Sequence, residues 1–142
     1  MAAKRFPSEQ WTAAYKDAVN NNPDYAEAGK GWTHGPVAMV IKADPSIGVE
    51  RDTAMLLDVH QGVCRSTASL DADSAREQAA FVIEASYDRW KEVIEGKLDT
   101  TKAMMMGRLK LTKGRLPTLL RYVNSSKQLV KSAGLVETEF PR

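Results

Sequence analysis

Residues 37–70 read VAMVIKADPSIGVERDTAMLLDVHQGVCRSTASL and contain three segments with the composition of β-strands. The first, residues 37–43, is a nearly continuous apolar run, whereas residues 49–60 and 63–70 alternate between apolar and polar positions. Short sequences of turn-forming residues separate the segments, and the second of these is the tight turn Gln61-Gly62. Strands joined by such short turns pair antiparallel, so the stretch predicts a three-stranded meander.

Alternation within these strands predicts which side chains are buried, because successive residues of a strand point to opposite faces. Met55 and Leu57 share one face of the second strand, which we expect to face the core. In the third strand the pattern predicts buried side chains at Cys64, Ala68 and Leu70 and solvated ones at Arg65, Thr67 and Ser69.

Helical and strand patterns flank this meander on both sides. Before it, apolar residues at helical spacing predict a helix opened by Pro7-Ser8 and ending near residue 20, then a short helix over residues 22–29. After it, the predicted elements are a polar loop or helical turn (71–78), a strand (79–85), a helix (86–96), a short helix (100–106), a strand (108–113) and a helix (117–133). This order predicts one α+β domain over residues 1–142, with a tail from residue 134 and helices packed on one face of an antiparallel-rich sheet.

The composition is that of a soluble globular protein and offers few catalytic groups. Hydrophobic residues make up 43% and charged residues 27% of the 142 residues. No apolar run is long enough to span a bilayer, and the N-terminus lacks the apolar stretch of a signal peptide, so we expect a cytoplasmic protein. Cys64 is the single cysteine, and His34 and His60 lack metal-ligand spacing. We therefore expect no enzyme activity, no metal and no cofactor.

Charge is distributed unevenly although the net charge is only +2. Residues 1–99 hold 11 Lys/Arg and 16 Asp/Glu, whereas residues 100–136 hold eight Lys/Arg and no acid. Such asymmetry indicates an anionic partner, such as a lipid headgroup, coenzyme A or nucleic acid. An ordinary solvated basic face, balanced by acids elsewhere in the fold, explains the pattern slightly better.

Two features of the C-terminal third leave a choice between a filled core and a cavity. Met104-Met105-Met106 is a run of flexible side chains that adapts to ligands of varied shape, although gap-filling in a core is the more common use of methionine. The apolar stripe of the predicted last helix is interrupted by Ser126. Such missing volume is typical of a cavity or of a frayed helix end. The stripe consists of Leu119, Val123, Ser126, Val130 and Ala133.

The chain resembles the sterol carrier protein-2 (SCP-2) family in this region, specifically its stand-alone prokaryotic type. The resemblance rests on Tyr87-Asp88-Arg89-Trp90, then Gly96-Lys97-Leu98-Asp99, then Ala103-Met104-Met105-Met106-Gly107-Arg108-Leu109-Lys110-Leu111. Arg108 stands where the family usually has lysine, and Lys113 adds one residue before Gly114. The resemblance implies an SCP-2-like fold, with a five-stranded sheet and helices that enclose a hydrophobic tunnel for sterols, fatty acids, fatty acyl-CoA or phospholipids.

We therefore predict a non-catalytic lipid-binding and lipid-transfer protein whose cavity lies between the sheet and the last helix. The predicted lining is Met55, Leu57, Phe81, Ile83, Met104, Met105, Leu109, Leu111, Leu119, Val123 and Ser126. Arg115, Arg121 and Lys127 are predicted to hold an anionic headgroup or to make transient contact with an anionic membrane. No nucleic-acid partner is expected, and the oligomeric state stays open. The alternative is an interaction or regulatory module, or an accessory subunit of an enzyme, that keeps the fold and binds a protein or anionic partner through its basic C-terminal quarter.

Overall fold

A computed structural model describes residues 4–6 and 8–140 as a mixture of helices and strands. Pro7, predicted to open the first helix, and residues 141–142 of the predicted tail lie outside the described residues. The helices are α1 (Glu9–Asn20), α2 (Pro23–Ala28), α3 (Ala72–Gln78), α4 (Tyr87–Ile94), α5 (Thr100–Met105), α6 (Leu116–Leu120) and α7 (Val123–Gly134). The strands are β1 (Lys4–Arg5), β2 (Val37–Lys42), β3 (Thr53–His60), β4 (Val63–Asp71), β5 (Phe81–Ser86), β6 (Lys110–Lys113) and β7 (Thr138–Glu139).

Five strands form the main sheet, in the order β4-β3-β2-β5-β6. The predicted meander is confirmed, because β2, β3 and β4 pair antiparallel in succession. β5 lies on the other side of β2 and pairs with it in parallel, whereas β6 pairs antiparallel with β5. The sheet is therefore largely antiparallel, as predicted. Separately, β7 from the predicted tail pairs in parallel with β1.

Both faces of this sheet are covered, and the prediction of helices on one face is wrong for α3. Val37 and Ile41 of β2 point into the larger core, with most of the helices, while Ala38 and Val40 point to the opposite face. α3 covers that second face with its alanines. Because neighbouring positions of β2 are apolar on both sides, each face has to be shielded from water.

The helix α3 replaces the loop or helical turn that the polar composition predicted. Asp71 caps it by accepting a hydrogen bond from the backbone N–H of Ser74 at 3.0 Å. Arg76 anchors the helix to the sheet, with its Nη2 atom 2.7 Å from Oε1 of Glu84 on β5. The Arg76 guanidinium holds the pKa of the Glu84 carboxyl below its ordinary value. The cap and the ion pair thus fix a helix whose buried residues are only alanines.

Cys64 is buried and Arg65 is exposed, as predicted, but the predicted alternation of the third strand is wrong after Arg65, because a β-bulge interrupts the pairing of β3 with β4. Cys64 lies in the larger core, but the register then shifts, and Ala68 faces the opposite side of the sheet together with Leu70. Thr67 instead lies opposite Leu57 and donates its hydroxyl to the Thr12 carbonyl at 3.0 Å. A bulge adds one residue and reverses the faces that follow it.

Strand β3 begins at Thr53 rather than at the predicted residue 49. Val49 makes an isolated bridge with Asp44 that closes the preceding turn. The Asp52 carboxylate accepts the backbone N–H of Ala43 at 2.8 Å. A side chain therefore takes the place of strand pairing before Thr53.

The predicted last helix is divided into α6 and α7 by a break at residues 121–122. Tyr122 has a non-helical backbone, with φ −116° and ψ 36°, and its hydroxyl donates to the Gly31 carbonyl at 2.9 Å. Its ring packs edge-on against Trp32 with 5.0 Å between centroids. These contacts override the helical pattern of the local sequence. None of the helices within the described residues has both the length and the apolar character needed to cross a membrane.

Candidate ligand cavity

An apolar cavity of about 80 Å³ lies within the larger core. Its wall combines side chains of the strands β2, β3 and β5 with side chains of every α-helix named above except α3. Within the described residues, this wall contains no acid, no histidine, no cysteine, no lysine and no arginine. The arrangement can therefore hold a hydrocarbon but offers no charged group to a ligand.

Small side chains on α7 leave this space unfilled. Ser125, Ser126 and Ala133 form part of the wall, where larger residues would fill a close-packed core. Polar contacts hold α7 in position. The amide of Asn22 donates to Gln128 and to Ser132, both at 3.1 Å, and the Tyr15 hydroxyl donates to the Leu129 carbonyl at 2.9 Å. The helix is therefore fixed at its distance from the sheet without apolar interdigitation along its whole length.

Six of the predicted lining residues come together in the cavity wall. Three elements of the predicted site meet here, because the strands, α5 and the α6–α7 segment converge on one space. The six residues are Met55, Ile83, Met104, Leu109, Leu119 and Ser126.

The other five predicted lining residues lie outside the wall. Met105 is 68% exposed, since neighbouring residues of a helix point about 100° apart and Met104 takes the inward position. Val123 is half-buried, because the break before α7 places Tyr122 on the wall instead. The remaining three pack elsewhere in the core: Leu57 is fully buried, Phe81 lies against Trp32, and Leu111 packs at the core margin on β6.

Aromatic residues form much of the wall, and sequence reasoning missed them as lining. In the sequence, Trp11 and Tyr15 stand out only as part of the apolar face of the first helix, and Trp90 stands out as part of the family motif and not as a lining residue. Tyr25 and Trp32 gave no signal, because a short helix and a loop carry no periodicity that points to a shared space. Their meeting depends on contacts between residues distant in sequence.

Most polar groups on these aromatic side chains have hydrogen-bond partners inside the protein. The bonds measure 2.8–3.0 Å and go mainly to backbone carbonyls. The indole N–H groups donate as follows: Trp11 to Thr138 Oγ1, Trp32 to the Gly35 carbonyl and Trp90 to the Val40 carbonyl. The hydroxyl of Tyr15 donates to the Leu129 carbonyl, and the hydroxyl of Tyr122 donates to the Gly31 carbonyl.

The Tyr25 hydroxyl differs from the others. It is buried and makes no hydrogen bond of normal geometry with any described residue. Burial raises the pKa of Tyr25 to about 12, and Cys64 makes a smaller contribution in the same direction. The neighbouring Ser125 hydroxyl lowers the pKa of Tyr25. The Tyr25 phenol therefore stays protonated at neutral pH, and its O–H group remains able to donate a hydrogen bond.

The predicted headgroup residues lie on the surface and not in the wall. Arg115, Arg121 and Lys127 are all exposed. Exposed apolar side chains occur in the same part of the chain, with Met105 68% and Met106 66% exposed. Exposed basic and exposed apolar side chains thus occur close together in sequence between residues 105 and 127.

Reactive groups are not assembled at the cavity. Cys64 is buried outside the wall, and burial raises the pKa of its thiol to about 11, so the thiol stays protonated. Within residues 4–6 and 8–140, no group of three or more His, Cys, Asp and Glu side chains is placed to bind a metal ion. The cavity thus has the chemistry of a binding site for an apolar molecule.

Comparisons with known proteins agree with this chemistry. The SCP-2 sterol transfer family matches residues 14–121. A crystal structure of sterol carrier protein 2 has 35% sequence identity and a TM-score of 0.85, covering 91% of this chain and 97% of that one. A solution structure of a conserved hypothetical protein of Thermus thermophilus, described as a candidate sterol carrier protein, has 32% identity and a TM-score of 0.87, covering 97% of this chain and 94% of that one.

A more distant structure shares the fold alone. Sterol carrier protein 2 from Yarrowia lipolytica, in its apo form, has 18% identity and a TM-score of 0.56, covering 93% of this chain and 95% of that one. No curated protein matches the sequence.

Proposed function

The chain belongs to the SCP-2 sterol transfer family, and on that premise we propose that it is a non-catalytic cytoplasmic carrier that binds a long-chain lipid in its apolar cavity. The observation that carries the proposal is the wall itself, which is built from aromatic, aliphatic and thioether side chains without any charge. Burying hydrocarbon there stabilises a complex by about 0.8 kcal/mol per methylene without any specific polar contact. Such binding distinguishes poorly between fatty acids, acyl-CoA, sterols and phospholipids.

The cavity must enlarge to hold such a ligand. A dry engineered cavity of about 150 Å³ accommodates a single benzene molecule, whereas the space here is about 80 Å³. The helix α6 is the part of the wall best placed to move, because it has five residues and no side-chain cap. Met104 on α5 adds a flexible side chain that can change rotamer as the space opens.

We expect saturable binding of lipids with low selectivity. Titration with a fluorescent fatty acid should reach a plateau at a fixed ratio of ligand to protein, because one enclosed space accepts a limited amount of hydrocarbon. A sterol, an unlabelled fatty acid and a lysophospholipid should each displace the reporter, with affinities within about tenfold of one another, since tenfold corresponds to only about 1.4 kcal/mol. Native mass spectrometry of gently purified protein should show co-purified lipid. A protein that binds no lipid class saturably would be better explained as a filled-core interaction module.

We further propose that the carrier docks on anionic membranes through the surface formed by α5, α6 and the start of α7. Exposed apolar side chains are followed closely by basic ones on this surface, Met106 by Arg108 and Leu120 by Arg121. Apolar side chains can enter the headgroup region while arginines meet acidic lipids. Residues 100–136 contain no acid that would oppose this attraction.

Removing two arginines should weaken membrane binding. Arg115→Gln with Arg121→Gln should lower the affinity for vesicles of phosphatidylcholine and phosphatidylserine about 30-fold, because each basic residue near such a surface contributes about 1 kcal/mol. Sedimentation with these vesicles measures the change. Arg51→Gln with Arg65→Gln removes the same charge from two exposed arginines, one just before β3 and one on β4, and is the matched control. Equal losses in the two double variants would mean that net charge, and not this surface, drives binding.

A further inference from the structure

The Tyr25 hydroxyl is an unsatisfied polar group in an otherwise apolar wall. Among the described residues, two buried side-chain polar atoms lack a hydrogen-bond partner, the hydroxyls of Tyr25 and Thr53. Only Tyr25 belongs to the cavity wall. A buried hydroxyl without a partner costs free energy, because it gives up its bonds to water and gains none in return.

The surrounding wall makes this exception informative. The hydroxyl of Tyr15, a buried residue of the same wall, is bonded to the Leu129 backbone carbonyl at 2.9 Å. A phenylalanine at position 25 would occupy nearly the same volume without the unpaired atom. The structure therefore keeps at this wall residue a hydroxyl without a hydrogen-bond partner of normal geometry among the described residues, with the Ser125 hydroxyl beside it.

The neighbouring residue Ser125 adds a second hydroxyl at this place. It is 5% exposed, belongs to the cavity wall and lies beside the Tyr25 hydroxyl. Hydroxyl groups both donate and accept hydrogen bonds, so the two together can bind an alcohol or a carbonyl oxygen. They cannot neutralise a carboxylate, and the described wall contains no lysine, arginine or histidine that would do so.

We propose that Tyr25 and Ser125 hydrogen-bond the single neutral oxygen of a lipid, an alcohol or a carbonyl, whose hydrocarbon fills the rest of the cavity. This inference rests on the proposed lipid-carrier function and narrows it to a ligand class. Because Tyr25 is fully buried, the oxygen of the bound lipid is enclosed by protein and does not face solvent. Ionised fatty acids are then poorer ligands than uncharged lipids of the same chain length.

Four probes of equal chain length test the inference: dodecan-1-ol, methyl dodecanoate, dodecanoic acid and dodecane. Each displaces a fluorescent fatty alcohol from the full-length protein at pH 8, where the acid is ionised because its carboxyl titrates at about pH 4–5. The wild-type protein should bind the alcohol and the ester about fivefold or more tightly than dodecane, and the ionised acid more weakly than the alcohol. Fivefold is the size expected for one net hydrogen bond.

The variant Tyr25→Phe should lose this preference. Its affinity for dodecan-1-ol should fall about fivefold while its affinity for dodecane stays unchanged. Its melting temperature should stay level or rise, because the variant removes an unpaired buried hydroxyl. Tyr87→Phe is the matched control. It removes a buried hydroxyl outside the wall that is already paired with the Phe6 carbonyl at 3.0 Å, so it should lower the melting temperature without changing the ratio of alcohol to dodecane.

The outcomes separate the two proposals. If Tyr25→Phe keeps the alcohol-to-dodecane ratio of the wild type, or if the ionised acid binds the wild type more tightly than the alcohol does, the inference is wrong and the carrier function stands. If the wild type binds none of the four probes, the carrier function itself fails. Ser125→Ala, which removes the second hydroxyl, gives the same readout should Tyr25→Phe not fold.

Discussion

The substitution Ser126→Phe is expected to abolish most lipid binding while the protein stays folded. Ser126 belongs to the cavity wall on α7, and an aromatic ring at this position would use up the remaining space of about 80 Å³. The new side chain should therefore occupy the site. We expect the affinity for a fluorescent fatty acid to fall more than tenfold and the free energy of unfolding to change by about 1 kcal/mol, the low end of the cost of overpacking.

Asn124→Phe is the matched control for this prediction. Asn124 is exposed on the same helix, so the ring should stay in solvent and leave lipid affinity unchanged. Unaltered affinity in a stable Ser126→Phe protein would place the binding site elsewhere. A loss of about 3 kcal/mol of stability would instead indicate a close-packed core and support the interaction-module alternative.

Gly62→Ala is expected to destabilise the whole fold, by about 4 kcal/mol. Gly62 lies in the turn between β3 and β4 with a φ of +83°, which L-residues with a side chain rarely adopt. An added Cβ atom would also lie 2.3 Å from the carbonyl oxygen of Ala26. This oxygen belongs to the backbone of α2, the helix that carries Tyr25, so relief of the clash requires the turn and the helix to separate.

A second glycine isolates the two causes of this loss. Gly48 has the same φ of +83°, but a Cβ atom there would meet nothing within 4 Å. Gly48→Ala should therefore lower the free energy of unfolding only through backbone strain. The net loss should be about 1 kcal/mol, because alanine also reduces the entropy of the unfolded chain and so offsets part of the strain. Urea denaturation of both variants measures the difference. Similar losses in the two proteins would mean that α2 does not press on the turn.

Close contact at Gly62 has a consequence for the cavity. The turn holds the N-terminal pair of helices against the sheet, and Gly29 at the end of α2 also approaches it, with a built Cβ only 3.1 Å from Gly62 Cα. This side of the wall is thus fixed by backbone packing. By contrast, α5 and α6, which also contribute to the wall, are short helices, and exposed methionines lie at the end of α5. We therefore expect the cavity to open on the α5–α6 side and Tyr25 to stay in place when a lipid enters.

The sequence by itself determined the elements whose pattern is local. The meander over residues 37–70 follows from period-two alternation and turn residues, and Ser8 caps α1 by accepting the Trp11 N–H at 3.1 Å, as its position before an amphipathic helix predicts. Part of the cavity could be named as well. Leu109 and Ser126 belong to the wall and were predicted from strand and helix periodicity, and Met104 belongs to it and was predicted from the methionine run.

Only the tertiary structure decided how these elements meet. The parallel pairing of β5 with β2, the cover of the second face by α3 and the bulge in β4 depend on which residues distant in sequence become neighbours. The break at Tyr122 depends in the same way on Trp32 and Gly31, residues about ninety positions earlier in the chain. Periodicity within a segment reports which side of that segment is apolar. It carries no information on which other segment will cover that side, because burial is non-directional and many pairings remove a similar apolar area from water. The unpaired hydroxyl of Tyr25 is therefore invisible in the sequence, since it exists only when the whole wall is assembled around it.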